Sequence, residues 1–126
     1  MKALVVDDHD LARKILRELL LADCGIGEVE EAVDGEEALG LFGAGAFDLV
    51  VLDMDMPRRD GLSFLAECAP SRPDCVYVVL SALPARDWRE KALGLGASGY
   101  LEKGCAPEKI VAAIRAALAE GPDPLA

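Results

Sequence analysis

What this chain has little of narrows its reading before any motif is sought. It has no apolar run approaching the roughly 20 residues of a membrane-spanning helix. Its N-terminal stretch Met1-Lys2-Ala3-Leu4-Val5-Val6-Asp7-Asp8 lacks the apolar segment and cleavage site of a secretory signal. No membrane association and a cytoplasmic location are therefore expected. Positive charge is scarce: Lys and Arg number 13 against 23 Asp and Glu, for a net charge of -10. That balance argues against direct binding of nucleic acid, which depends on cationic contacts to phosphates. Cys24, Cys68, Cys75 and Cys105 have no metal-ligand spacing, and a core this apolar needs no disulfide framework. They read as reduced thiols acting as small hydrophobes or surface residues. No internal repeat and no low-complexity segment is found.

What is present is a chain of 126 residues, 52% of them apolar. That suits one domain with a single core and excludes a disordered chain. The stretch Asp48-Leu49-Val50-Val51-Leu52-Asp53-Met54-Asp55-Met56-Pro57 organises the rest. Its first half reads as a strand buried on both faces. Asp53 ends the apolar run, and Pro57 stops any continuation of strand or helix. Asp53 is thereby expected at the carboxyl edge of a central strand, where open α/β sheets bind ligands. A second run, Lys2 to Val6, ends in Asp7-Asp8. If the strands are neighbours, these acids converge on one rim and need a cation, for which a hard divalent ion such as Mg²⁺ fits best.

In chain order, a strand over Lys2–Val6 precedes a helix with Asp10 as N-cap; its Leu11, Ile15 and Leu19 face the core, while Arg13, Lys14, Arg17 and Glu18 face water. Glu28 to Val33 alternates and is acidic, as a charged edge strand would be. Asp34-Gly35-Glu36-Glu37 has capping-box spacing and opens a second helix that Gly43 and Gly45 end. A third helix spans Leu62–Cys68, and Pro70 to Asp74 form a turn. Cys75–Leu80 is a buried strand ending at Ser81; Pro84 suits N1 of a fourth helix whose Trp88, Ala92 and Leu95 share a face. A short strand over Ser98–Leu101 precedes a last helix from Pro107, with Ile110, Val111, Ile114, Ala117 and Leu118 inward and Gly121-Pro122 as its stop. Five strands alternating with five helices predict a parallel sheet covered on both faces.

Val5-Val6-Asp7-Asp8, Asp34 to Leu39, Leu52-Asp53-Met54-Asp55-Met56-Pro57 with Gly61, Ser81-Ala82, and Gly96 to Lys103, taken together and in order, resemble the receiver (phospho-acceptor) domain of two-component response regulators. The resemblance implies a flavodoxin-like (βα)5 three-layer α/β sandwich of strand order 2-1-3-4-5. It also implies a receiver domain over residues 1–120, with 121–126 a tail or the start of a linker. By the same resemblance Asp53 is the phosphorylated residue. Asp8 and Asp53 bind Mg²⁺ (or Mn²⁺) directly with the backbone carbonyl of Asp55, Asp7 acts through water, Ser81 and Lys103 hold the phosphoryl oxygens, and Tyr100 changes rotamer. The implied partners are a sensor histidine kinase or phosphotransfer protein, an output domain or partner protein outside this chain, and a second copy in a homodimer on phosphorylation. The implied role is a switch of the surface around the fourth helix, fifth strand and fifth helix, and not substrate turnover. Phosphoryl transfer needs in-line placement and charge neutralisation, which a metal ion, a lysine and a hydroxyl around one carboxylate supply.

Each residue has a plainer alternative. Asp7, Asp8 and Asp55 read singly as solvated loop acids, Ser81 as a helix cap, Lys103 as a surface lysine and Tyr100 as an edge residue; their joint spacing favours the site. His9 lies beside the acids but has no role in the family, and Mg²⁺ prefers oxygen. Trp88 reads as packed on the sheet or as an interface anchor. Asp53-Met54-Asp55 also resembles the Asp-x-Asp motif of haloacid-dehalogenase-type phosphatases, but on the third strand and not the first. A receiver-like interaction module without phosphorylation is disfavoured by the complete set Asp7, Asp8, Asp53, Ser81 and Lys103. One departure from the resemblance is Lys103-Gly104, where most receivers have Lys-Pro with a cis bond. Before a non-proline residue a cis bond costs about 2.5–4 kcal/mol, so a trans bond is expected, with Gly104 at an unusual φ and Lys103 still aimed at Asp53. Leu11, Arg13 and Lys14 on the first helix are the expected kinase-docking face. The residues from Lys103-Gly104 to Pro107-Glu108 resemble receivers that precede LuxR-type helix-turn-helix domains.

Overall fold

The computed structural model describes residues 1–56 and 58–121. Pro57, read as a stop, and residues 122–126 of the tail lie outside the described residues. Strands and helices alternate throughout: β1 (Lys2–Val6), α1 (Asp10–Asp23), β2 (Glu28–Ala32), α2 (Gly35–Ala44), β3 (Leu49–Leu52), α3 (Gly61–Ser71), β4 (Val76–Ser81), α4 (Ala85–Gly94), β5 (Gly99–Glu102) and α5 (Pro107–Glu120). The strands form one parallel sheet in the order β2-β1-β3-β4-β5, with acidic β2 on one edge as expected.

Successive strand residues point to opposite faces, so each central strand feeds two cores. Leu4, Val6, Val50, Leu52, Tyr77, Val79 and Tyr100 join α2, α3 and α4 on one side. Ala3, Val5, Leu49, Val51, Val76, Val78, Leu80 and Leu101 join α1 and α5 on the other. Both faces of β1, β3 and β4 are dry, which is why these strands read as continuous apolar runs. Asp34 caps α2 as its spacing predicts, its side chain accepting from the Glu37 amide at 2.9 Å. Asp60 caps α3 in the same way, accepting from the Ser63 amide at 2.8 Å.

The structure corrects the first helix. Its N-cap is His9, and Asp10 is already helical. The buried residues are Leu16 and Leu20, whereas Leu11 is 69% and Ile15 45% exposed; Leu19 is only partly buried. The cause is a pair of arginines expected to face water. Arg13 donates to Glu31 at 3.3 Å, and Arg17 to the Val29 carbonyl at 2.9 Å, both on edge strand β2. Residues 13, 16, 17 and 20 share one helical face. Docking the arginines on β2 therefore turns Leu16 and Leu20 inward and Leu11 and Ile15 outward.

The third helix also runs further than expected, through Pro70 to Ser71. The amide that Pro70 lacks would have served Ala66, which is exposed and can use water. The helix end is held instead by the Ser71 hydroxyl, which donates to the Glu67 and Cys68 carbonyls, and by the Tyr77 hydroxyl, which donates to Cys68. Pro84 is the N-cap of α4 and not its first helical residue. β1 and the start of α5 lie where expected, β2, β4 and β5 are offset by one residue, and the inward residues of α5 are those expected.

Candidate functional site

The site grows out of two neighbouring strand ends. β1 and β3 pair in register with Val6 opposite Leu52, so the next residues, Asp7 and Asp53, emerge side by side. The Asp53 amide donates to the Val6 carbonyl at 3.0 Å, and the Asp7 amide to Ala32 at 3.1 Å. Asp7 is 2% and Asp53 3% exposed. Two carboxylates with so little water need a counter-charge. Lys103, reaching over from the β5–α5 loop, supplies it: its ammonium lies 2.8 Å from Asp53 Oδ2 and 2.9 Å from Asp7 Oδ2. Burial alone would lower the lysine's pKa, but the hydrogen bonds and charges of Asp53 and Asp7 outweigh it and hold the ammonium more firmly than usual. The Lys103–Gly104 bond is trans and Gly104 adopts φ +97°, the backbone freedom that the missing proline makes necessary. The Lys103 amide donates to the Ser81 carbonyl at 2.7 Å, which pins the start of this loop to β4.

Glycine is also required under the acceptor loop. A Cβ on Gly61 would stand 2.5 Å from the Asp53 carbonyl oxygen and 2.8 Å from the Met54 Cα. Only a residue without a side chain lets α3 start so close beneath Asp53. The Asp55 amide donates to Asp53 Oδ1 at 3.2 Å, while Asp55 and Asp8 themselves are exposed.

Ser81 is fully buried at the end of β4, its hydroxyl oxygen accepting from the Leu83 amide at 3.2 Å. Tyr100 is 8% exposed and donates its hydroxyl to the Leu83 carbonyl at 2.8 Å. Burial pushes the Tyr100 phenol above its ordinary pKa. The short turn at Leu83 thus joins the serine to the tyrosine.

Two further residues sit at the rim. Arg13 is not offered to a partner: its side chain is 11% exposed, and it donates to the Asp7 carbonyl at 2.7 Å while pairing with Asp10 and Glu31. It holds the peptide that links the two N-terminal acids. An arginine six residues after Asp7 at the start of a helix was the available signal. His9 comes within 3.1 Å of Asp7 and 3.2 Å of Asp8 through Nδ1.

Asp7, Asp8, His9 and Asp53 each place one ligand atom within 4.8 Å of the others. Three carboxylates facing one lysine leave an anionic excess, and their oxygens suit a hard divalent ion. A family model described as the response regulator receiver domain matches residues 3–115. The chain belongs to that family. This receiver domain is 39% identical to the response regulator UvrY of Escherichia coli O6:H1 over 115 residues, which cover 91% of this chain and 53% of that protein. It therefore spans about half the length of that relative. A response regulator receiver domain protein from Clostridium thermocellum superposes with a TM-score of 0.83 at 30% identity, covering 94% of both chains. The BeF3-activated DrrB receiver domain also has a TM-score of 0.83, at 29% identity, covering 94% of this chain and 97% of that one. Receiver domains are signalling modules rather than turnover enzymes, and they bind Mg²⁺ at an acidic pocket. The phosphatase resemblance of Asp53-Met54-Asp55 is accordingly set aside.

Proposed function

We propose that this receiver accepts a phosphoryl group on Asp53 from a phosphohistidine of a sensor kinase or phosphotransfer protein. One observation carries the reading. Asp53 is a nearly buried carboxylate at the end of a central strand, with Lys103 at 2.8 Å on one oxygen and the Asp55 amide at 3.2 Å on the other. Asp7, Asp8, Asp53 and the Asp55 carbonyl would hold Mg²⁺ or Mn²⁺, which when bound neutralises charge on the phosphoryl oxygens. An Asp53 oxygen attacks phosphorus as the bond to the donor imidazole nitrogen breaks, and the imidazole departs with the electron pair. Lys103 and Ser81 stabilise the transferred group. The Ser81 hydroxyl accepts from Leu83 but keeps its own proton to donate.

The readout follows from the same contacts. When Ser81 turns toward the phosphoryl group, the Leu83 turn moves and the bond that holds Tyr100 inward is lost. Tyr100, Glu102, Gly104, Cys105 and Lys109 line a groove of about 530 Å³ beside β5, so its shape would change with phosphorylation. That surface would control an output domain of LuxR type, another partner, or a homodimer. Among the described residues no helix is long and apolar enough to cross a membrane, and all four cysteines are free, which supports work in the cytoplasm.

Incubation with a small phosphodonor and Mg²⁺ should label the wild type and not Asp53→Asn; robust labelling of that variant at another residue would overturn the assignment. For kinase docking, exposed Leu11, Lys14 and Ile15 replace the inward-turned Arg13. Lys14→Glu should slow transfer from the kinase and leave small-donor labelling intact.

A further inference from the structure

The histidine beside the acids has no part in the mechanism above, yet its ring nitrogen shares their cation. The Lys103 ammonium, 2.8 Å from Asp53 and 2.9 Å from Asp7, also lies 3.5 Å from His9 Nδ1. An ammonium only donates, so Nδ1 turns its lone pair toward Lys103 whenever the ring is the tautomer protonated on Nε2. The same nitrogen is 3.1 Å from Asp7 Oδ1 and 3.2 Å from Asp8 Oδ1. Those separations match neighbouring ligands around one small ion. His9 is held by its backbone as well, its amide donating to Asp7 Oδ1 at 2.9 Å. Its side chain is 68% exposed, which leaves the ring free to turn toward an arriving ion. Carboxylate oxygens suit Mg²⁺ and Mn²⁺, whereas imidazole suits the later first-row divalent ions.

We propose that His9 is a specificity-determining ligand that gives this acidic pocket, relative to Mg²⁺, a preference for nitrogen-accepting first-row ions such as Co²⁺. The inference rests on the metal site described under the proposed function. A histidine acting only as a hydrogen-bond partner or nearby charge changes the binding of all divalent ions alike. A ligand changes their ratio.

The experiment titrates the intact chain with Mg²⁺ alone and Co²⁺ alone by calorimetry, for wild type, His9→Ala and His9→Gln. Circular dichroism confirms that each variant is folded. Mg²⁺ competition against Co²⁺ shows that the two ions share one site, and the visible absorption of Co²⁺ reports nitrogen ligation. Loss of even a supporting partner of a metal ligand costs about 10–100-fold in affinity. The Co²⁺ to Mg²⁺ affinity ratio should therefore fall about tenfold or more in both variants, with a changed Co²⁺ spectrum. An unchanged ratio, including an equal loss for both ions, overturns the role of His9 and leaves the Mg²⁺ site standing. If wild type binds neither ion, the metal site itself falls, and this inference with it.

Discussion

The two helices that flank β5 are held in opposite ways. On one side α5 buries Ile110, Ile114 and Ala117 against an aliphatic core. On the other side α4 buries only Ala92, with Trp88 and Leu95 partly covered. Its N-cap is Pro84, which has no side chain to accept an amide, so Glu102 on β5 caps Ala85 from outside at 2.8 Å. The chain's three Phe, two Tyr and single Trp all lie on the α4 side of the sheet. Of these, Tyr100 reaches the turn before α4 through a hydrogen bond. A helix that fully buries one alanine and only partly covers Trp88, Leu93 and Leu95 can move with less newly exposed apolar surface. A helix held by two isoleucines cannot. The contrast predicts that α4 opens more readily than α5.

The largest effect should come from breaking the anchored side. Ile114→Ala removes a fully buried side chain and should cost about 2–5 kcal/mol of stability, read as a lower urea midpoint with unchanged slope. A loss confined to α5 amide exchange, without global destabilisation, would contradict that prediction.

Tyr100→Phe is smaller. It removes the hydroxyl's bond to Leu83, worth about 0.5–1.5 kcal/mol, and should speed amide exchange in α4 while leaving α5 unchanged. The phenol carries a pH signature as well. Its folded pKa is raised above the ordinary 10.0, so its contribution is complete below that value and lost as pH rises through the folded one. The α4 exchange rate should climb above pH 10 in wild type more steeply than in Tyr100→Phe.

The smallest change is Glu102→Gln, which keeps a capping oxygen but removes its charge from the α4 N-terminus. It should cost about 0.3–1 kcal/mol at low ionic strength, with the difference fading in salt. An effect as large as that of Ile114→Ala would mean that α4 is the better anchored helix.

Much of this arrangement was legible in the residues alone. Continuous apolar runs marked β1, β3 and β4, Asp34 announced its cap, and Gly104 stood where a trans bond demanded glycine. What was not legible was rotation. The first helix offers two apolar stripes, 11/15/19 and 16/20, and periodicity cannot choose between them. The choice was made by Arg13 and Arg17 pairing with β2. The Pro70 boundary failed for a related reason: proline breaks a helix only where its lost bond matters, and exposed Ala66 could spare it.

By itself the sequence determined periodicity, charge, glycine placement and which carboxylates end apolar runs, because these depend on residues a few positions apart. Tertiary structure alone decided which charged side chains pair. Lys103 meets Asp53 across 50 residues, and Arg13 meets Glu31 across 18. Such pairs exist only after strand order has brought their loops to one rim, since an ammonium and a carboxylate attract strongly only at close range and away from water.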